Sequence, residues 1–317
     1  MIKFLERMLA TRIRVKRISK SVDEIQSIQD RIEQSIGKLQ QLIPYEFEIK
    51  AQEIQNKVSA QLDIAVQTNS TKIDTQSHLL QQARLFNDNL YHRIFYQKEI
   101  QTLHQSVFPQ FVGKHKDQEI AVVGCGPTLQ QYQPISDVIH IGVNKSFQCQ
   151  GLEIDYLFIQ DYVSSKNYIE AANQYRLGQC QKFYGIIQGA YEISIPAIHA
   201  IAANAYRYYI MVGYSPFCLD IQNNPLPNFN SITFSALAFA LLTKPKRIYL
   251  VGCDTNENGY FDGQLNHMSG VDLIQSISIN KQGWYHFKNF MDMFYPEVEV
   301  VSVNPVGLKG LFQDIYQ

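Results

Sequence analysis

Short polar residues follow several β-rich runs in the second half of the chain, at the points where these runs end. The first run leads into Gly124, Gly126, Pro127 and Thr128. Two glycines permit a tight turn and let a phosphate or ribose approach the backbone closely, and Thr128 is a good N-cap for a following helix, whose free N–H groups attract anions. A Gly-x-Gly turn without a third glycine is weak evidence for any cofactor. A purely structural strand-to-helix turn is therefore the alternative.

Two further runs end in side chains that suit nucleotide recognition. Asn144 follows the second run and can both donate and accept hydrogen bonds, as base and ribose recognition requires. Asp161 follows the third run and either binds a ribose hydroxyl or caps a helix that starts near Ser164.

Asn230 and Ser231 open an apolar helix predicted over 231–242. This helix is apolar on all sides, which predicts that it is buried. Ser231 is a plausible N-cap, and a helix start rich in Asn, Ser and Thr favours a bound anion such as a phosphodiester.

The most polar loop of the chain follows the run at 247–251 and contains Asp254, Asn256, Tyr260 and His267. A histidine in such a loop can act as a general base, because its unperturbed pKa is about 6.5. The alternative for His267 is an ordinary surface histidine.

The alternation of short β-rich runs and helical patterns predicts the elements that position these residues. Strands are expected at 120–124, 138–143, 156–160, 183–187, 208–212, 247–251 and 298–303, and helices at 164–175, 193–203, 231–242 and 284–294. Alternating strands and helices predict an α/β, Rossmann-like domain over 118–317, with a mainly parallel sheet and helices on both faces. Ligands in such folds bind at the carboxyl ends of the strands, near a topological switch point.

The first 110 residues are different, because only Gly37 and Pro44 interrupt them before residue 109. This predicts an all-α region. Apolar residues at alternating steps of four and three form a heptad-like seam made of Ile18, Val22, Ile25, Gln29, Ile32, Ile36, Leu39 and Ile43. The seam fits either a helical hairpin within the chain or a coiled coil between chains, and the regularity of the seam favours self-association into a homo-oligomer.

Residues 1–20 carry seven positive charges against the single negative charge of Glu6, with apolar residues between them. A basic amphipathic helix of this kind can bind an anionic membrane surface. A solvated charged helix start is the alternative.

Composition excludes several classes of protein. The net charge of −1 gives no indication of nucleic-acid binding, and no apolar run is long enough to span a bilayer. Five widely spaced cysteines without a CxxC argue against a disulfide framework or a zinc site. We expect a cytoplasmic protein without a secretory signal. Peripheral association with the inner face of the cytoplasmic membrane is a further option that the basic N-terminus offers.

The order of these motifs resembles bacterial sialyltransferases of glycosyltransferase family 42, and also the related domain of motility-associated factors and 6-hydroxymethylpterin diphosphokinases. In the family, a strand leads into G-x-G-P-[ST]-L and an Asn follows the second strand; Gly124–Leu129 and Asn144 match these motifs. The family then has a Ser at the start of an apolar helix, and G-x-D with a following Tyr. Ser231, Gly252–Asp254 and Tyr260 match these. The resemblance covers about 200 residues. It departs from the family at Asn256, where a tyrosine is expected, and near Asn228, where the family has an arginine.

The resemblance implies an inverting, metal-independent transferase without a resident cofactor. Its donor would be a CMP-activated 2-keto sugar acid, such as sialic acid or Kdo, and its acceptor a glycan or lipid-linked molecule of lipopolysaccharide or capsule biosynthesis. Carried over by position, the nucleotide-binding residues are Gly124, Gly126, Pro127, Thr128, Asn144, Asp161, Asn230, Ser231, Asp254 and Asn256. Tyr260 and His267 would be catalytic. A pterin diphosphokinase-like enzyme that needs ATP and Mg²⁺, and a noncatalytic coiled-coil scaffold, are the alternatives.

Overall fold

The computed structural model describes residues 20, 23–24, 26–35, 55–61, 63, 96–211, 215–255, 259–265 and 270–317. The chain forms two compact units, Met1–Arg84 and Leu85–Gln317. The basic segment at 1–19 and most of the predicted heptad seam lie outside the described residues, so these two predictions are not tested.

In the first unit, residues 26–35 and 55–61 are helical. Ile32 and Val58, one from each segment, are half-buried and line the same small cavity of about 100 Å³. The two segments therefore contact each other within one chain, as expected for a helical hairpin. Self-association through these helices remains a prediction.

The second unit is built on an eight-stranded sheet in the order β5-β4-β3-β2-β1-β6-β7-β8, and every neighbouring pair is parallel. The strands are β1 (Glu119–Val123), β2 (Val138–Val143), β3 (Tyr156–Ile159), β4 (Gln181–Gln188), β5 (Tyr206–Met211), β6 (Arg247–Val251), β7 (Glu299–Val303) and β8 (Gln313–Ile315). The order runs outward from β1 to β5 and then resumes on the other side of β1 with β6. This confirms the predicted α/β fold class and places the topological switch point between β1 and β6.

Both faces of the sheet are covered, because alternate residues of β1 enter different cores: Ile120 and Val122 one, Ala121 and Val123 the other. The helices are α1 (Tyr162–Ser165), α2 (Ile169–Gln174), α3 (Ala197–Ala202), α4 (Thr233–Leu242) and α5 (Gly270–Phe294). Helices α4 and α5 cover the face of Ile120, whereas α2 and α3 cover the other. Nine of the ten residues of α4 are buried, which its uniformly apolar sequence predicts.

The structure differs from the predicted elements in four places. The predicted helix at 164–175 is two short helices, α1 and α2, and α5 begins 14 residues earlier than the predicted start at 284. A 3₁₀ helix at Pro127–Gln131 stands where a capped α-helix was expected after the glycine turn. Strand β8 was not predicted, because three residues are too few to show an alternating pattern.

The helical residues 96–107 belong to the second unit, although the sequence places them in the N-terminal region. Ile100, His104 and Val107 are buried, and Phe108 and Phe111 just beyond them lie in the core beneath α4. The compact unit that contains these residues begins at Leu85, and the predicted division into a helical region over 1–110 and a domain over 118–317 stays a prediction. Among the described helices, none combines the length and apolar character needed to cross a membrane.

Candidate active site at the switch point

A cavity of about 450 Å³ opens at the carboxyl ends of the strands, above the switch point between β1 and β6. Its size is in the range of small-molecule sites. Its walls come from the loops after β1, β2, β3 and β6, the start of α4 and one face of α5. The lining residues are Gly124, Cys125, Gly126, Val143, Asn144, Gln160, Asp161, Ser164, Asn228, Asn230, Ser231, Ile232, Thr233, Gly252, Cys253, Asp254, Gly259, Tyr260, Ser276, Asn280 and Trp284.

The loops after β1 and β6 lie directly against each other, and this contact explains their glycines. A Cβ on Gly124 would collide with the carbonyl oxygen of Gly252, and a Cβ on Gly126 with the Asp254 carboxylate. The N–H of Gly124 donates to Val251 O at 2.7 Å, and that of Gly126 to Gly252 O at 2.8 Å. The close approach that these glycines permit is therefore between two loops, and both N–H groups are occupied.

Hydrogen bonds between Thr128 and Asp254 connect the same two loops. The Thr128 N–H donates to Asp254 Oδ2 at 2.8 Å, and the Thr128 hydroxyl lies 2.9 Å from both carboxylate oxygens. Burial raises the pKa of Asp254, and the bonds from Thr128 offset part of that rise. Thr128 caps no α-helix here, and neither it nor Pro127 lines the cavity.

Two of the predicted ligand residues are asparagines in the left-handed region of backbone conformation. Asn144 has a φ of 47° immediately after β2, and Asn230 has a φ of 57° before α4. Asparagine tolerates this region better than most residues. Asn144 therefore has a conformational role in addition to lining the cavity.

The start of α4 offers backbone donors to the cavity. The N–H groups of Asn230, Ser231 and Ile232 donate no hydrogen bond within the described residues. The Ser231 hydroxyl accepts from the Thr233 N–H at 3.3 Å, so Ser231 acts as a cap although the helix itself begins at Thr233. Free N–H groups at a helix start bind anions without a positively charged side chain.

Helix α5 contributes a side of the site that the sequence did not identify. Ser276, Asn280 and Trp284 repeat at steps of four and therefore share one helix face. Asn280 Oδ1 accepts from the Trp284 indole at 3.0 Å and from the Thr255 hydroxyl at 3.4 Å. These contacts fix the amide orientation and leave the NH₂ group as a donor. The only sequence signal was the four-residue spacing.

Lys145 is a second residue that the sequence did not identify. Its buried ammonium donates to both oxygens of Asp262, at 2.9 and 2.7 Å, and to Gln264 Oε1 at 3.0 Å. It also lies 4.0 Å from the centre of the Tyr260 ring. Burial raises the pKa of Asp262, but the bonds from Lys145 and its charge outweigh this and leave the pKa lowered. Lys145 thus holds the loop that places Tyr260 at the cavity, where burial raises the pKa of the phenol.

Asp161 caps a helix, as one of its two predicted roles requires, and its binding to a ribose hydroxyl stays a prediction. Its Oδ1 accepts from the Ser164 N–H at 2.7 Å and caps α1, and its side chain also lines the cavity. Beside it, Gln160 Oε1 is buried and has no hydrogen-bond partner among the described residues, and the same holds for Oδ1 of Asn228.

Eight predicted site residues line this single cavity: Gly124, Gly126, Asn144, Asp161, Asn230, Ser231, Asp254 and Tyr260. Asn256 and His267 lie outside the described residues, so their roles remain predictions. In the described ranges, no group of three His, Cys, Asp or Glu side chains is placed to hold a metal ion. All five cysteines are free thiols, and burial raises the pKa of Cys125, on the cavity wall, to about 12.

No protein-family model and no curated protein matches the chain. Among solved structures, it is similar to the sialyltransferase CstII from Campylobacter jejuni in complex with the substrate analogue CMP-3FNeuAc. The identity is 12%, the match covers 62% of this chain and 85% of that chain, and the TM-score is 0.37. A second CstII structure, in complex with cytidine-5'-monophosphate, matches at 12% identity over 59% of this chain and 80% of that chain, with a TM-score of 0.33. At these values, the function has to be argued from the site itself.

Proposed function

We propose that the second unit is a glycosyltransferase that uses a CMP-activated sugar. The observation that carries the proposal is the cavity at the switch point, where the helix start at Asn230, Ser231 and Ile232 presents unoccupied N–H groups. A helix start at such a crevice suits a phosphodiester. The motif order that resembles family 42 sialyltransferases supports cytidine as the nucleoside and a 2-keto sugar acid as the sugar.

In this proposal, the acceptor hydroxyl oxygen attacks the anomeric carbon, and the bond from that carbon to the CMP phosphate oxygen breaks with inversion. The attacking hydroxyl gives its proton to His267, and CMP leaves with the bonding electron pair. The N–H groups at the α4 start and the Asn280 amide stabilise the phosphate charge that develops, and the Tyr260 hydroxyl assists them. No step requires a metal ion.

A pterin diphosphokinase-like reaction would need carboxylates free to bind Mg²⁺. Of the described carboxylates at or beside the cavity, Asp254 accepts from Thr128 and Asp262 accepts from Lys145, which leaves Asp161 as the one with an oxygen that the protein does not use. We therefore favour the transferase. We also propose a glycan or lipid-linked acceptor, with the basic N-terminal segment bringing the enzyme to an anionic membrane surface.

A thermal-shift panel of CMP, CDP, UDP, GDP and ATP, with and without Mg²⁺, tests the donor class. We expect CMP without Mg²⁺ to stabilise the protein, by about 2.7 kcal/mol at 100 times its Kd. A requirement for ATP and Mg²⁺ would instead support the kinase, and no response to any nucleotide would support a scaffold.

Ile232→Pro tests the anion site. It removes one N–H at the helix start, where the φ of Ile232, −63°, already suits proline. We expect the affinity for CMP to fall about tenfold, as for the loss of one hydrogen bond to a charged group. Ile232→Val keeps the N–H and should bind CMP like the wild type; equal affinities in both variants would contradict an anion site here.

His267→Ala tests the base. Transfer to the acceptor should be abolished while the affinity for CMP stays unchanged. Retained turnover would remove His267 from the mechanism.

A further inference from the structure

The part of the cavity over β3 and β5 contains hydrogen-bond acceptors that nothing in the described structure satisfies. Asn228 is 6% exposed, and its Oδ1 has no partner. Its position is fixed, because its Nδ2 lies 3.4 Å from Met211 O and its backbone exchanges two hydrogen bonds with Ser215. A buried unsatisfied carbonyl in a cavity wall requires a donor, and a bound ligand can supply it.

Gln160 and Asp161, which follow β3, line the same cavity as Asn228 and carry further acceptors. Gln160 Oε1 is buried and unpartnered. Asp161 uses Oδ1 to cap α1, but an ionised carboxylate can accept about four hydrogen bonds in all. All three residues line the cavity, and the Gln160 and Asn228 oxygens have no hydrogen-bond partner among the described residues.

The charges on the described wall have one sign. Asp161 and Asp254 are the only Asp, Glu, Lys, Arg or His residues in the described wall, and Asp254 accepts hydrogen bonds from Thr128. Lys145, just outside the wall, is paired with Asp262. A ligand carboxylate beside Gln160, Asp161 and Asn228 would meet a like charge and two carbonyl oxygens, which disfavours it.

We infer that Gln160, Asp161 and Asn228 bind hydroxyl groups of the donor sugar and exclude its carboxylate from this part of the cavity. The inference rests on the proposed function, because it assigns the sugar of a CMP-sugar to this place. A polyhydroxylated sugar tail supplies the donors that the three oxygens lack. The sugar carboxylate then lies elsewhere, within reach of the N–H groups at the start of α4.

Asp161→Asn tests this assignment with little disturbance of the fold. Asparagine caps a helix about as well as aspartate, so α1 should keep its N-cap, while one acceptor facing the ligand becomes an NH₂ donor and the negative charge is lost. The Kd values of CMP and of the analogue CMP-3FNeuAc are measured by calorimetry for the wild type and the variant. Asp137→Asn, an exposed site with a φ of 61° that asparagine tolerates, is the matched control for the loss of one charge.

We expect wild type to bind the analogue more tightly than CMP. In Asp161→Asn, the affinity for the analogue should fall at least about tenfold, as expected for the loss of one hydrogen bond to a charged group. The affinity for CMP should change less than about twofold. Gln160→Met, which removes an acceptor at similar length, should also weaken the analogue selectively.

Whether Asp161→Asn binds the analogue more weakly or more tightly than the wild type decides the inference. Tighter binding of the analogue would mean that its carboxylate faces residue 161, and it would overturn the inference. Wild type that binds the analogue no better than CMP would overturn it as well. Wild type that fails to bind CMP at all would refute the proposed function itself and remove the basis for the inference.

Discussion

The two sides of the cavity use polar residues in opposite ways. At the switch point, the polar groups are used between the loops after β1 and β6: the N–H groups of Gly124 and Gly126 donate to carbonyl oxygens of Val251 and Gly252, and Thr128 donates to Asp254. Over β3 and β5, the side-chain oxygens of Gln160 and Asn228 have no hydrogen-bond partner in the part of the chain that the structure describes. A polar residue after a strand is therefore not by itself a ligand contact, because neighbouring loops compete for it. On this comparison, substitutions on the first side should change stability, and substitutions on the second side should change binding.

Gly124→Ala should have the largest effect on stability. The added Cβ would meet the backbone carbonyl of Gly252, which cannot rotate away as a side chain can. We expect the free energy of unfolding to fall by about 3 kcal/mol, measured by urea denaturation.

Gly126→Ala makes the matching substitution in the same loop, where the added Cβ would collide with the Asp254 side chain instead of backbone. Its stability loss should be smaller, and adding Asp254→Ala should restore part of it. Equal losses with no rescue would mean that the two loops are not packed as described.

The β5 side should be sensitive to acid through His104. This buried ring accepts from the Tyr209 N–H at 2.8 Å and bonds to Ile221 O at 2.7 Å, which fastens the segment before Asn228 to β5. Burial lowers its pKa to about 4, against the raising effect of the bond to Ile221. Between about pH 6.5 and pH 4, the unfolded chain therefore binds a proton that the folded chain does not.

Stability should accordingly fall as the pH falls through that window, and a full shift of this size corresponds to about 3 kcal/mol. Urea titrations of wild type and His104→Gln at pH 7 and pH 4.5 measure it. The variant should be less stable than the wild type at pH 7, but its free energy of unfolding should fall less between pH 7 and pH 4.5. Parallel losses in both proteins would assign the acid sensitivity to other groups.

Thr128→Val distinguishes a structural threonine from a nucleotide contact. It removes the hydroxyl that lies 2.9 Å from both Asp254 oxygens, so the free energy of unfolding should fall by about 2 kcal/mol at pH 7. The Kd of CMP should change less than about twofold, well under the cost of one lost hydrogen bond. Thr128→Ser keeps the hydroxyl and should be close to wild type; a large loss of CMP affinity in the valine variant alone would make Thr128 a ligand residue.

Asn144→Gly should have the smallest effect on stability, within about 0.5 kcal/mol, because glycine adopts the φ of 47° freely. The affinity for CMP should still fall about fivefold, because the variant lacks the amide and a neutral hydrogen bond contributes about this much. Asn144→Ala, which removes the amide but disfavours this backbone conformation, should lose stability in addition. Unchanged CMP affinity in Asn144→Gly would reduce Asn144 to a conformational role.

The sequence predicted seven of the eight strands and the burial of α4, because alternation and uniform apolarity are local properties of the chain. It also predicted eight residues that line one cavity, because the carboxyl ends of parallel strands meet at one edge of the sheet. It missed Asn280 and Trp284, since a ligand-facing stripe on an amphipathic helix looks like any other polar stripe. It missed Lys145 because the partner of this lysine, Asp262, is distant in sequence.

The sequence by itself therefore determined the class of fold, the edge of the sheet where a ligand would bind and most of the residue types found there. The tertiary structure decided which of those residues remain available to a ligand. Asp161 and Asp254 look alike in sequence, each a carboxylate after a strand, but only Asp254 is bonded on both oxygens by a residue 126 positions away. Whether a polar group is free depends on its contacts in space, and contacts between distant segments leave no local pattern in the sequence.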